Sequence, residues 1–476
     1  MALKLSSSLV RQSLSSHSWL GLMVGALMYA VCLSGTLAVF FPEFERWEQP
    51  YADEFRDYDP VALEQTFNQA MGNEVAVTPH MYLVLPTEEV PRARIANENE
   101  SWFLTPGGQL GEKENNAWTE MLLDLHLYLH LPHSWGMILV SALGAILFGL
   151  VISGVFAHPR MFRDAFNLRL KGQRLLEQVD LHNRLSVWAL PFHIMIGITG
   201  AYFGLALPIL AVVSSAMYDG DRDAVIESVF GSEPVLEQQA GEFGIARALE
   251  QMPALAPGAE PLFITFHDAG EDSQQFGISA AHPGRLIYSE NYLFDASGTF
   301  LRTDGFLDSE VGRQVVYSIY RLHFGHFFGL PVKIGYFLLG LALTVVSVTG
   351  INIWLARRKH RDRINDTWVA IVWGLPIGLV LAAISRFGWD APTAGIVWGS
   401  ILAACIPTFW LADEKRARCW LLNVLGATCI ALVLVQFARY GSIVALGVAG
   451  VVNVLFIAFG VALLAFNLRR KQPALP

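Results

Sequence analysis

Charge is scarce in this chain. Only 16% of its 476 residues are Asp, Glu, Lys or Arg while 53% are hydrophobic, a balance that excludes an ordinary soluble globular protein and marks an integral membrane one. The net charge of −9 gives no basis for nucleic acid as a partner. Cysteine is nearly missing. Cys32, Cys405 and Cys429 fall inside apolar runs, Cys419 lies at the edge of one, and there is no CxxC, so neither a disulfide framework nor a thiolate metal site is expected. No GxGxxG follows a strand pattern, and no cytoplasmic stretch is long enough for a nicotinamide or flavin domain. The first apolar run, from near Trp19 to Phe41, lacks a small-residue cleavage site and reads as a retained helix.

Runs long enough to span a bilayer are plentiful, and eight are expected. They divide the chain into helix 1 within 1–41, an outer segment 42–120, helix 2 within 121–160, a basic loop 161–181, helix 3 over 182–213, a second outer segment 214–320, helix 4 within 321–356, a loop 357–366 and four more helices in 367–476. Lys4, Arg11, Arg160, Arg163, Arg169, Lys171, Arg174, the run from Arg357 to Arg361, and Arg469 to Lys471 put both termini and these loops on the cytoplasmic side. The outer segments mix helical and strand patterns. Helices are expected over Pro60–Met71 and Ile245–Gln251, and strands near Met81–Leu85, Trp102–Leu104, Phe263–Phe266 and Leu286–Tyr288. A hairpin pattern from Tyr292 to Leu301 resembles Phe103 to Leu110. The fold expected is a membrane all-α bundle with two small α+β domains on its outer side.

The first four runs are a duplicated two-helix unit. His17 lies eighteen residues before Gly35 (35 − 17) and His182 eighteen before Gly200 (200 − 182), an offset of 165. His130, Gly144 and Gly154 repeat at His326, Gly340 and Gly350 with an offset of 196. Histidine is disfavoured in membrane helices and usually faces the bundle interior. Two imidazoles opposed across a pseudo-two-fold axis, with Gly and Ser nearby to admit a flat macrocycle, suit a six-coordinate haem iron. His17 with His182 would hold an inner haem and His130 with His326 an outer one, forming a transmembrane electron wire.

Other histidines compete for these roles. His126, four before His130, and His323, three before His326, share a helical face with them and are possible ligands instead. His193, about three turns beyond His182, matches Met28 and is either the inner ligand or a buried structural residue. His133 reads as a surface residue, as do His80, His267, His282 and His360, and His158 as a helix cap. Tyr128, Tyr320, Phe324, Phe327 and Phe328 could wall a porphyrin or simply pack the core. Arg321 could pair with a propionate or with an acid of the outer segments. Zinc is disfavoured because no acid falls at matching spacing within the spans.

At His17-Ser-Trp-Leu-Gly, Asp180-Leu-His182-Asn-Arg, Arg321-Leu-His323-Phe-Gly and Val348-Thr-Gly350-Ile-Asn-Ile-Trp354, the chain resembles the PepSY-associated transmembrane family over residues 10 to 360. Within it, the chain is similar to inner-membrane ferrisiderophore reductases of the FoxB and PiuB type. The resemblance implies b-type haem in a four-helix core, PepSY-like periplasmic domains and electron delivery to ferric siderophores with release of Fe(II). The expected protein is therefore an oxidoreductase of the bacterial inner membrane holding two haems b. Its donor would be a separate cytoplasmic flavoprotein or a membrane quinol, and its partners that donor, membrane lipid and a ferric siderophore. The rival readings are a quinol-linked cytochrome b for another periplasmic acceptor, a non-redox PepSY binding or regulatory protein, and a siderophore permease. The four C-terminal helices carry no histidine and no redox role.

Overall fold

The computed structural model of the chain describes residues 5–161, 166, 174–230, 240–307, 309, 311–391 and 393–471. Arg163, Arg169 and Lys171 of the expected basic loop lie outside them. In chain order the elements are helices α1 (Ser7–Ala38), α2 (Phe41–Glu48) and α3 (Pro60–Ala70), then strands β1 (His80–Val84), β2 (Arg94–Ala96), β3 (Ser101–Leu104) and β4 (Leu110–Lys113). Helices α4 (Ala117–Tyr128), α5 (His133–Ala157), α6 (Arg174–Trp188), α7 (Leu190–Met217), α8 (Arg222–Phe230) and α9 (Ile245–Leu255) follow. Strands β5 (Glu260–His267), β6 (Gln275–Ala281), β7 (Glu290–Asp295) and β8 (Phe300–Asp304) come next. Helices α10 (Val311–Phe324), α11 (Leu330–Arg357), α12 (Arg363–Trp389), α13 (Ala394–Leu411), α14 (Glu414–Tyr440) and α15 (Gly447–Lys471) complete the chain.

Among the described residues seven helices are long and apolar enough to cross a membrane, and α6 with the first part of α7 adds an eighth if that pair is one span. The protein is a multi-pass membrane protein. Two expected helices are broken. The run expected as one helix within 121–160 divides into α4 and α5 because Pro132, which caps α5, has no N–H to donate to the carbonyl of Tyr128. Leu129 and His130 turn the corner at φ 54° and 57°. The run expected to start at His182 begins at Arg174 and bends by 72° between α6 and α7, where Pro191 in the first turn of α7 cannot continue the preceding hydrogen-bond ladder. Helix α1 starts earlier than expected, at Ser7, capped by the Ser6 hydroxyl on the Leu9 amide.

The chain forms two compact units, one of Met1–Pro50, Asn116–Ala206 and Leu330–Pro476, the other of Tyr51–Asn115 and Leu207–Gly329. In the second unit the strands make one antiparallel sheet in the order β4-β3-β2-β1-β5-β6-β7-β8. Each half is a four-strand meander, and the halves join through β1 and β5 with His80 opposite His267 and Leu83 opposite Ile264. The two outer segments, expected as separate domains, thus share one sheet. A four-strand meander leaves backbone donors and acceptors exposed along β1 or β5, and pairing the two edges satisfies both. Helices α3 and α9 bring Leu63, Phe67, Ile245 and Leu249 into the same hydrophobic cluster as Phe266, Phe276 and Phe294 of the sheet. Phe67 stacks on Phe266 with ring centroids 4.0 Å apart. The two hairpins anticipated at Phe103–Leu110 and Tyr292–Leu301 are β3–β4 and β7–β8, each turning on a glycine at φ 77°, Gly108 and Gly298. Leu286–Tyr288, expected as a strand, lies in the connection before β7.

In the first unit α1 packs against both α5 and α11, and α6 against α11. The duplication shows at the crossings. A Cβ on Gly340 of α11 would lie 3.5 Å from the Cα of Thr36, and one on Gly144 of α5 would lie 2.7 Å from the amide of Ala201. Residues 36 and 201 differ by 165 and residues 144 and 340 by 196, so both close approaches are one contact repeated. Helices α12 to α15 join this core through buried polar groups. Glu48, fully buried, accepts from the amides of Trp118 and Thr119 at 2.9 Å and from Arg386 Nε at 2.8 Å. Trp47 donates from its indole to Asn453 Oδ1 at 2.9 Å, and its carbonyl accepts from Gln436 at 2.8 Å. Removing one partner of a buried ion pair strands the other charge, at a cost of about 3–5 kcal/mol. Glu48→Gln should therefore lower the thermal unfolding temperature in detergent, and the double variant Glu48→Gln/Arg386→Met should recover part of the loss.

Candidate functional site

Histidine Nδ1 atoms meet backbone carbonyls one turn before a glycine at three places in the first unit. His17 Nδ1 on α1 donates to Leu150 O at 3.0 Å and lies 3.3 Å from Ser153 Oγ, both on α5. His182 Nδ1 on α6 donates to Val346 O at 3.1 Å and lies 3.1 Å from Thr349 Oγ1, both on α11. The acceptors differ by 196 in each case, 346 − 150 and 349 − 153. His126 Nδ1 on α4 donates to Val31 O of α1 at 3.0 Å. One turn further on stand Gly154, Gly350 and Gly35, and the atoms nearest a Cβ at each are those of the imidazole, Cε1 foremost, at 3.3, 3.5 and 2.4 Å. Glycine lets the ring lie against the helix, and the carbonyl fixes its tautomer.

That tautomer has a chemical consequence. With the proton on Nδ1 held by a carbonyl, Nε2 keeps its lone pair, which is how metal-ligating histidines are prepared. The rings of His17 and His182 lie 6.2 Å apart between centroids with planes at 82°. A ring nitrogen sits about 1.1 Å from its centroid and about 2.0 Å from a bound metal, so two imidazoles bound in line to one ion place their centroids about 6.2 Å apart. Two planes that share the ligand axis are free to be perpendicular. The spacing fits a bis-imidazole site. Among the described residues no group of three or more His, Cys, Asp or Glu is placed to hold a metal ion.

The second expected pair resolves differently. Both nitrogens of His130 are engaged, Nε2 donating to Met121 O at 2.8 Å and Nδ1 accepting from the Trp398 indole at 3.0 Å. No lone pair is left on His130 for a metal, and His126, the alternative four residues earlier, is the one of the two whose Nδ1 sits in a carbonyl socket. His326 follows α10 in the second unit, with Tyr320 and Phe324 rings 6.3 and 5.8 Å away. His323 is in the last turn of α10, beside Phe324. His193 is 2% exposed, its Nε2 has no hydrogen-bond partner among the described residues, and it makes no carbonyl socket like the others. His133 is exposed, stacked on Tyr128 at 4.2 Å, so Tyr128 is occupied there. Arg321 donates to Arg285 O at 2.8 Å. Val31 lies fourteen residues beyond His17 on α1 (31 − 17), about 21 Å along the helix at about 1.5 Å per residue. The sockets at His17 and His126 are thus set at two levels of one helix.

Sequence reasoning missed the acceptors, though their signature is present. Each socket glycine follows a hydroxyl residue, as Ser34-Gly35, Ser153-Gly154 and Thr349-Gly350, and a fourth such pair, Thr199-Gly200, stands on α7. In all four the hydroxyl bonds a carbonyl three residues back, Val31, Leu150, Val346 and Ile196, which turns the pair toward its own helix.

Residues 14–357 match the PepSY-associated TM region family. The chain belongs to the PepSY-associated transmembrane family. A relative is uncharacterized protein PA4219 of Pseudomonas aeruginosa, 24% identical over 361 residues, covering 69% of this chain and 90% of that one. The family match contains all three sockets and His323, and ends before α12, so the last four helices lie beyond it.

The glycines make the sockets testable. A Cβ at Gly35 meets the His126 ring at 2.4 Å, well inside contact distance, whereas at Gly350 it meets His182 at 3.5 Å, an ordinary contact. Gly35→Ala should displace the His126 ring and Gly350→Ala should be accommodated, as read by the histidine side-chain NMR shifts of the two variants.

Proposed function

We propose that the protein is a di-haem b reductase that moves electrons from the cytoplasmic side or the quinol pool to a periplasmic ferric siderophore, whose iron leaves as Fe(II). The observation that carries this reading is the His17–His182 pair, with rings 6.2 Å apart and both Nδ1 atoms held by carbonyls of matched residues. His17 and His182 would hold the first haem. For the second, His126 is taken in place of His130. Haem when bound supplies one-electron Fe(III)/Fe(II) chemistry, which a hard-oxygen chelate of Fe(III) needs to release its metal.

The surrounding carbonyls orient the imidazoles. Gly21 and Gly25 lie one and two turns beyond His17, on the side of α1 that carries it. The siting in the bacterial inner membrane follows the basic residues, with Arg160, Arg174 and the run from Arg357 to Arg361 cytoplasmic, and the segments of the eight-stranded sheet periplasmic as PepSY-like halves. A cleft of about 670 Å³ between α1, α11 and α12, walled by Trp19, Trp354 and Trp368, supports a lipid-soluble quinol as donor. It begins two residues along α1 from His17.

The test is the absorption spectrum of purified protein, oxidised and then reduced with dithionite, with haem per chain by pyridine hemochrome. A b-type α-band and about two haems per chain are expected. His17→Ala and His182→Ala should each leave about one, as should His126→Ala. The absence of a Soret band from cells supplied with haem precursor would remove this reading and leave a PepSY binding or regulatory protein.

A further inference from the structure

We infer that Trp398, on the C-terminal helices beyond the family match, is a positioning residue that locks the α4–α5 joint and thereby holds the His126 imidazole in its socket. The inference rests on the reading of His126 as a ligand. The joint is strained. Leu129 and His130 are successive residues at φ 54° and 57°, where a Cβ crowds the following carbonyl and only glycine is at ease. The second copy of the repeat avoids part of that strain, since position 325 (129 + 196) is glycine at φ 72°.

What holds the first joint is the His130 ring. Its Nε2–H reaches back to Met121 O at 2.8 Å, inside α4, and its Nδ1 accepts the Trp398 indole N–H at 3.0 Å. The rings meet edge to face at 88°. The same C-terminal segment grips the other end of α4, where Trp118 Nε1 donates to Leu379 O at 2.9 Å and Glu48 bridges the Trp118 and Thr119 amides to Arg386. His126 lies between these grips, eight residues after Trp118 and four before His130. Its ring must pass Gly35 with no room for a Cβ while meeting Val31 O at 3.0 Å, so a rotation of α4 breaks the socket. Helices α12 to α15 therefore serve the second site without carrying a ligand.

Trp398→Phe keeps the ring and removes the donor. In the full-length protein, amide exchange over residues 121–130 should rise about tenfold, the effect of losing roughly one buried hydrogen bond. One of two low-spin haem signals in the paramagnetic resonance spectrum should shift while that of His17 and His182 stays. Leu129→Gly added to Trp398→Phe should bring the exchange back toward wild type. Unchanged exchange, equal disturbance of both haem signals, or no recovery with Leu129→Gly would overturn the inference. Protein without haem that still shows the exchange change would keep the lock and remove the reductase reading. Di-haem protein with unchanged exchange would do the reverse.

Discussion

A helix carbonyl one turn before a glycine, receiving an imidazole N–H, is the contact on which the membrane unit depends. Each such carbonyl already belongs to a helix hydrogen-bond ladder, so it sits at a fixed place and direction. The imidazole that bonds it inherits both. A side chain packed only by apolar neighbours could rotate, whereas His17, His126 and His182 are pinned by an atom on a neighbouring helix and pressed to it where the glycine leaves space. In a low-dielectric interior the bond is also the reason the ring is tolerated, because it satisfies the donor that burial would otherwise strand. The price of this rigidity is that the helices must approach to within a glycine's width, which explains why the landmarks of the repeat are histidines and glycines together.

The duplication is expressed through the same device in both parts of the chain. In the membrane unit it repeats crossings and sockets at offsets of 165 and 196. In the second unit it repeats a helix and a four-strand meander. There the halves meet along an open sheet edge, which no single meander could leave unpaired without inviting association with another chain. Two half-units, each incomplete alone, account for a fold in which every copy finishes the other.

The C-terminal helices break that symmetry. They add Trp398, Arg386, Gln436 and Asn453 to one copy only, all on buried polar groups of α2, α4 and the joint after α4. Buried polar bonds of this kind give direction more than net stability. The copy that receives them is the one whose joint uses Leu129 where the other uses Gly325.

Much was legible in the sequence alone. The membrane class, the apolar runs, the repeat and the histidine–glycine landmarks all follow from composition and spacing, since a bilayer permits few backbone solutions and a duplicated chain must reuse its own contacts. The hairpins at Gly108 and Gly298 were legible because a tight turn demands its residue types. The breaks before Pro132 and Pro191 were visible as prolines but not as interruptions, because a proline in an apolar run either bends a helix or ends it according to its neighbours. The choice between His126 and His130 lay beyond the sequence. In a continuous helix both would share one face, and the tertiary structure is what tells them apart, by bringing Val31 O to one ring and Trp398 to the other. Periodicity says which side of a helix a residue occupies, while hydrogen-bond partners hundreds of residues away determine which of its nitrogens keeps a lone pair.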